Sequence, residues 1–508
     1  MVRGSKAYHV RAGFDRYTAV QTRAQPQKKQ SQKGRVMHEF IKWTAVEAVA
    51  HLRRGDVSPL ELIDAAEARI AETNPQINAM VTLCFDRART QARRLMQHKS
   101  TDVPAGFLHG LPIAVKDNTD VEGVRCTSGS RVHESRIAPG SDPVVRRLEA
   151  HGAIVIGKTN LPEFAAGGNT FNDVFGATRN PWDTRMSASG SSGGSAAALA
   201  AGQAWLATGN DFGGSIRTPA AFCSVSGLRP SPGMVARIQK QPFNPLSVEG
   251  PMARTVGDVA LMFDAEAGFD ARDPLSPRAP LPSFAQAAAQ PEKPLRVAVS
   301  ADLGIAPVVD REVRGILDMV AGKLATDGVV VEHTHPDLNE ARKNFLTLRG
   351  AVYIARVAPL LKQYRDVLKP EVVENAEFGL SLKLTDVVAA EIAQGEIIRR
   401  AAAFFEQYDA LICPATLCPP FDVDWRYPAS WDGVAFDGYM GWLVLTYALT
   451  MTACPVLALP GGFTRGGLPV GLQIVGKPRG EAALFRHAAY LEQLLTVAPQ
   501  TPIDPRAC

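Results

Sequence analysis

The chain has 508 residues, 46% of them hydrophobic, with a formal net charge of +4 and seven cysteines; that is enough apolar material for one large core with room for an embedded subdomain. A mean hydropathy of −0.05 and seven scattered cysteines without a CxxC pair exclude a disulfide scaffold and point to a soluble protein of a reducing, cytoplasmic setting. The charge is local: residues 1–35 hold nine Lys/Arg and one acid, the rest 46 basic and 50 acidic residues, so the body lacks the basic footprint of a nucleic-acid binder.

In chain order, residues 1–38 form a basic segment expected to be a disordered tail, an interaction arm or a leader. No n-region followed by an apolar h-region opens it, which argues against Sec-type secretion; its Arg-rich, acid-poor composition also fits a mitochondrial-type leader. Residues 39–106 predict a helical segment packed on the body. Ser58-Pro59-Leu60-Glu61 spells an N-cap, a Pro at N1 and a capping-box Glu at N3, and the helix it opens should end near Asn74-Pro75. A second helix is predicted over 86–97. The body, 107–497, then alternates. Leu111–Val115 is a strand ending in Lys116, 143–151 a helix, 153–156 a buried strand, 195–203 an Ala-rich helix, and 205–208 a short strand or turn entering a glycine loop. Residues 269–294, rich in Pro, Ala and Ser, read as a linker or surface excursion. Beyond it follow strands at 296–300, 329–331, 410–413, 456–459 and 470–475, helices at 310–324 and 481–495, and a mostly helical 340–408; residues 498–508 form a C-terminal tail. The uncharged run from Met440 to Pro460 is interrupted by Pro455 and several threonines, and is better explained as a buried helix followed by a strand than as a membrane span. Alternating helices and strands predict an α/β fold.

Two motifs mislead. Gly152-Ala-Ile-Val-Ile-Gly157-Lys158-Thr159 satisfies the spelling of a phosphate-binding loop, but its variable positions are mostly β-branched and favour a strand. Asn160-Leu161-Pro162 also stands where the required helix should be running. Gly190-Ser-Ser-Gly-Gly194 spells Gly-x-Ser-x-Gly, yet no apolar strand leads into it as a nucleophile elbow needs. His333 and His335 would share one strand face with no third ligand near, so no metal site is predicted.

Three segments carry chemistry: Gly110–Asn118, Ser187–Ala198 and Gly209–Cys223. In the third, Gly213 and Gly214 let backbone N–H groups approach a developing oxyanion, and Ser215 stands next to them to attack; a generic Gly-Gly-Ser turn is the competing reading. The second segment reads as a flexible linker or as a wrap at a helix N-terminus. Lys116, at the end of an apolar strand, is either a solvent-facing charge or a buried amine whose pKa burial lowers until it can serve as a base.

Together the three segments closely resemble the amidase signature family, with further likeness at Gly157–Phe164, Glu249–Asp258 and Leu468–Gly476. The resemblance extends from about residue 45 to 497. It implies a large mixed central β-sheet covered by helices on both faces, and hydrolysis of carboxylic amides by a Ser-cisSer-Lys triad without metal or organic cofactor. By this resemblance Ser215 is the nucleophile, Ser191, after a cis peptide bond, the relay, and Lys116 the base. Phe212, Gly213, Gly214 and Ser215 form the oxyanion hole, and Ser192, Asn210, Asp211 and Arg217 support it. Asn210 departs from the threonine common there; since Asn both donates and accepts, tuning is expected, not loss.

Substrate choice is weakly written. The aromatic run 425–447 suggests Trp431, Phe436, Tyr439 and Trp442 as pocket residues for an apolar group, with core or lid packing as the plain alternative. A small-molecule amide substrate is expected, with a homodimer as the default assembly and no nucleic-acid or membrane partner. The rival within the family is the glutamine-hydrolysing subunit of the glutamyl-tRNA amidotransferase. Its Phe-Gly-x-Glu-Val-Lys-Arg-Arg stretch is replaced here by Phe378-Gly-Leu-Ser-Leu-Lys383, which favours a stand-alone amidase. The rival of another class is an inactive, amidase-like binding protein.

Overall fold

The computed structural model describes residues 39–97, 103–104, 106–277, 282–497 and 500–507; the basic segment 1–38 lies outside the described residues. Eleven strands form one mixed sheet. They are β1 (Met80–Leu83), β2 (Pro112–Lys116), β3 (Ile154–Thr159), β4 (Leu206–Asp211), β5 (Ser226–Arg229), β6 (Val248–Ala253), β7 (Arg296–Val299), β8 (Val330–His333), β9 (Ala410–Pro414), β10 (Val456–Phe463) and β11 (Pro469–Val475). Their spatial order is β1-β3-β2-β4-β6-β5-β10-β11-β9-β7-β8. The pairs β3/β2 and β2/β4 at one end, and β9/β7 and β7/β8 at the other, are parallel; the six remaining pairs are antiparallel.

Side chains alternate across a strand, and this sheet has helices to meet them on both sides. In β9, Ala410 and Ile412 join one apolar cluster, with the N-terminal helices and helix Gly193–Ala200. Leu411 and Cys413 join the other, with Phe345 and Trp442. Near-continuous apolar strands follow from burial on both faces. The large mixed sheet covered by helices is thus the one the sequence led us to expect.

Local rules set most boundaries. Ser58 and Glu61 make the predicted capping box. The helix, however, runs through Pro75 to Ile77. The chain leaves it two residues later than expected because the Asn74 side chain accepts from the Ala79 and Met80 N–H groups, at 2.8 and 2.9 Å, and organises the exit. The segment 269–294 is not all excursion: Phe284–Ala288 is a short helix, and the Phe284 ring packs tilted against Phe263, centroids 4.5 Å apart. Residues 500–507 are fastened rather than loose. The Ile503 N–H donates to Ala200 O at 2.9 Å, and Arg69 pairs with Asp504 at 2.7 Å. The phosphate-loop spelling lies on β3, where Lys158 is buried and donates to Thr119 O at 2.7 Å. The uncharged run 440–460 holds helix Val444–Thr450 and the start of β10, and among the described residues no helix is long and apolar enough to cross a membrane.

Candidate active site

Parallel neighbours present their carboxyl ends side by side, where α/β sheets bind ligands. β2 ends at Lys116 and β4 at Asn210-Asp211, so the pairing of Ala114 with Ala207 carries a lysine and an amide to the same edge. The Lys116 N–H fixes this register further by donating to Thr208 Oγ1 at 3.0 Å. The turn Ser189–Ser192 delivers two hydroxyls from the adjoining helix. Its glycines allow the approach: a Cβ on Gly194 would lie 2.3 Å from the Asn160 nitrogen. The Gly190–Ser191 peptide bond is cis.

Lys116 is fully buried. Its Nζ lies 2.7 Å from Ser191 Oγ, 2.8 Å from Ser192 Oγ and 2.8 Å from Asn210 Oδ1. Burial is the main reason its pKa is pushed down to about 7; the acids Glu249 and Asp211 pull it back upward more weakly. The Asn210 amide is held in turn, donating from Nδ2 to Asn118 Oδ1 at 2.9 Å. A carboxamide oxygen can only accept, so one N–H of the lysine is committed there.

The glycine loop is clamped from beneath by Asp211. Its carboxylate accepts from the N–H groups of Gly214 at 2.9 Å and Ile216 at 3.2 Å. Arg217 donates to both carboxylate oxygens, at 3.0 and 2.9 Å, and Arg229 pairs with it at 3.3 Å. Although burial works against ionisation, the two guanidiniums and the Gly214 N–H hold the Asp211 carboxyl far below the usual carboxylate range. Gly214 has φ +118°, and a Cβ there would meet Thr446 Oγ1 at 2.3 Å; Thr446 Oγ1 itself donates to Gly213 O at 2.8 Å. The four-membered oxyanion set drawn from the sequence needs one correction. The Gly214 N–H is already given to Asp211, which leaves those of Phe212, Gly213 and Ser215 without a protein acceptor among the described residues. Ser192 N–H donates to Ser215 O at 3.1 Å, tying the two serine segments together.

Ser191 and Ser215 line one narrow throat of about 20 Å³. Asn118, Phe164, Asn210, Arg237, Ser247 and Arg356 are shared with an adjoining cleft of about 420 Å³. The four aromatic residues expected to line a pocket line neither space. Trp442 is fully buried and packs edge-on to Phe421 at 5.3 Å. Trp431 donates to Asp310 at 3.0 Å from the hairpin pair 430–435. Phe436 packs against the second apolar cluster. Tyr439 is buried and accepts from Arg349 at 2.9 Å, one layer behind the wall. Packing, the plain alternative, describes all four. The wall residues Arg237, Arg349, Tyr353 and Arg356 went unremarked in the sequence. Three of them follow the spacing i, i+4, i+7 on helix Ala341–Arg356, a one-face pattern that was there to read.

A family model described as "Amidase" matches residues 61–485. An acylamidase of Rhodococcus erythropolis is 34% identical over 466 residues, covering 91% of this chain and 97% of the relative. The A subunit of a glutamyl-tRNA(Gln) amidotransferase from a Synechococcus strain is 35% identical over 477 residues, covering 89% and 96%. Among solved structures, a bacterial aryl acylamidase of the amidase signature family superposes with a TM-score of 0.82 at 26% identity, over 91% of this chain and 99% of that one. A 6-aminohexanoate cyclic dimer hydrolase complexed with substrate gives 0.79 at 26% identity, over 92% and 99%.

Proposed function

Because the chain belongs to the amidase signature family and hydrolyses amide bonds by its serine and lysine chemistry, we propose that Ser215 is the nucleophile, Ser191 the proton relay and Lys116 the base of a stand-alone amidase. The donor count at Lys116 carries this reading. A neutral amine has two N–H bonds and one lone pair. Asn210 Oδ1 can only accept and takes one N–H, so the second N–H and the lone pair are left for the hydroxyls of Ser191 and Ser192, at 2.7 and 2.8 Å; one of the two must donate its O–H to Nζ, and in this reading it is Ser191, which lines the throat together with Ser215. Nζ takes the Ser191 proton as Ser191 takes that of Ser215. The Ser215 oxygen bonds to the carbonyl carbon and the C=O π pair moves to oxygen, where the free N–H groups of Phe212, Gly213 and Ser215 receive it. Collapse breaks the C–N bond, and the proton returns through Ser191 to the departing nitrogen. Water then cleaves the acyl-enzyme by the same route.

An amidotransferase component is the second reading, favoured by the Synechococcus relative. Against it, the Glu-Val-Lys-Arg-Arg run is missing, with Ser381-Leu382-Lys383-Leu384-Thr385 after Phe378-Gly379-Leu380. The purified chain is expected to release ammonia or amine from simple aliphatic, anilide or dipeptide amides without any added protein. Hydrolysis of glutamine alone, and only with partner proteins, would move the assignment to the amidotransferase.

A further inference from the structure

Resting on the reading just given, we propose that the amide substrate carries a carboxylate, received by Arg349 and Arg356 on the wall of the Ser215 throat. Arg349 is 4% exposed, and a buried guanidinium is costly unless an anion answers it. Its protein partners are all neutral. Nε donates to Asn375 Oδ1 at 3.0 Å, and Nη2 to the hydroxyls of Tyr353 and Tyr439, each at 2.9 Å. The rings of Tyr353 and Phe212 face it at 4.7 and 5.3 Å, which suits a weakly hydrated cation but supplies no counter-charge. Nη1 donates to nothing among the described residues, and Arg349 makes no ion pair there. Arg356, two turns along the same helix, lines the same throat and is likewise without a hydrogen bond or ion pair among the described residues.

Each remaining charge of this region has a protein partner, although Arg237 Nη1 and Glu249 Oε2 are left without a hydrogen bond. Arg237 is answered by Glu249 at 3.0 Å and Arg136 by Asp120 at 2.7 Å. Asp142 accepts from the Asp120 N–H at 2.7 Å, and Lys240 donates to Ala355 O at 2.9 Å. Every acid of the cleft therefore has a partner, and the throat itself is lined by three arginines and no carboxylate. Guanidinium forks fit carboxylates. Phe212, in ring contact with Arg349, opens the backbone run that holds Gly213 and Ser215, so the carboxylate and the reacting carbonyl are separated by only a short spacer. Monoamides of small dicarboxylic acids and short N-acyl amino acids have this form. The absence of acids in the throat also disfavours an ammonium group, so glutaramate should be preferred to glutamine.

The test compares kcat/KM for matched pairs: succinamate and glutaramate against succinamide and glutaramide, and N-acetylglycine against its amide. The expected result is a preference for at least one carboxylate class of about tenfold or more. The first pairs report a charge on the acyl part, the last on the amine part. In Arg356→Gln, an exposed position, and in Arg349→Lys, the ratio of charged to neutral kcat/KM should fall by about tenfold or more, chiefly through KM. Equal kcat/KM within every pair, or variants that lower both members of a pair in parallel, would overturn the proposal while leaving the amidase reading intact. Failure to hydrolyse any amide, neutral ones included, would instead count against the amidase reading itself.

Discussion

Replacing Asn210 by Asp converts a neutral acceptor, 2.8 Å from Lys116 Nζ, into an anion of nearly the same shape. The wild-type amine is poised at about 7 chiefly because burial disfavours its charged form. A carboxylate at that distance reverses the balance. With an effective dielectric between that of bulk water and about 20, the attraction comes to roughly 1.5–6 kcal/mol, or about 1–4 pK units. The sign is unambiguous. The base works only when neutral, so activity rises with pH through the lysine pKa, and raising that pKa moves the rising limb to higher pH. kcat/KM for a neutral amide, measured from about pH 5 to about pH 10, should show a rising limb near 7 in the wild type and at least about one unit higher in Asn210→Asp. At pH 7 a rise of about one unit is a loss of about fivefold and a rise of about two units a loss of about fiftyfold, recovered as the pH passes the new limb. An active Asn210→Asp enzyme whose limb stays at the wild-type position would refute the claim that Lys116 titrates as the base.

Asp211→Asn leaves Arg217 and Arg229 buried without their shared anion, and should lower unfolding stability in urea by about 3–5 kcal/mol. Because the folded-state pKa of Asp211 lies below the ordinary value of 3.8, this contribution is fully present above that value and is lost only as pH falls through the folded pKa; a variant as stable as wild type at neutral pH would contradict the clamp. Gly214→Ala places a methyl 2.3 Å from Thr446 Oγ1 at a φ of +118°. The displaced loop should cost about 10²–10³ in kcat, the scale of a lost oxyanion donor, with circular dichroism checking that the fold survives; wild-type kcat would disprove the constraint.

Much of this was legible because it is local. The capping box at Ser58 and Glu61, the strand-breaking glycines at 213 and 214, and the apolar runs of β2 and β3 each follow from a few neighbouring residues. Lys116 could be named as a candidate from its place after a strand, but its burial could not, since that depends on Thr208, Ser191 and Asn210 arriving from up to 94 residues away. Pro75 misled because its helix is terminated by a side chain, Asn74, whose single carboxamide oxygen accepts from two N–H groups downstream. The aromatic run 425–447 misled for a more general reason: large rings fill cores as readily as they line pockets. The arginines at 349 and 356 escaped notice because single charges on a helix normally face water, and only the tertiary fold turns this face toward Ser215.

Trapping the covalent intermediate tests the central claim most directly. Intact-protein mass spectrometry on the chain quenched during turnover of a slow anilide should show one added acyl mass, mapped by peptide digestion to Ser215 and abolished in Ser215→Ala. An acyl group that persists undiminished in that variant, or maps to another side chain, would contradict the account.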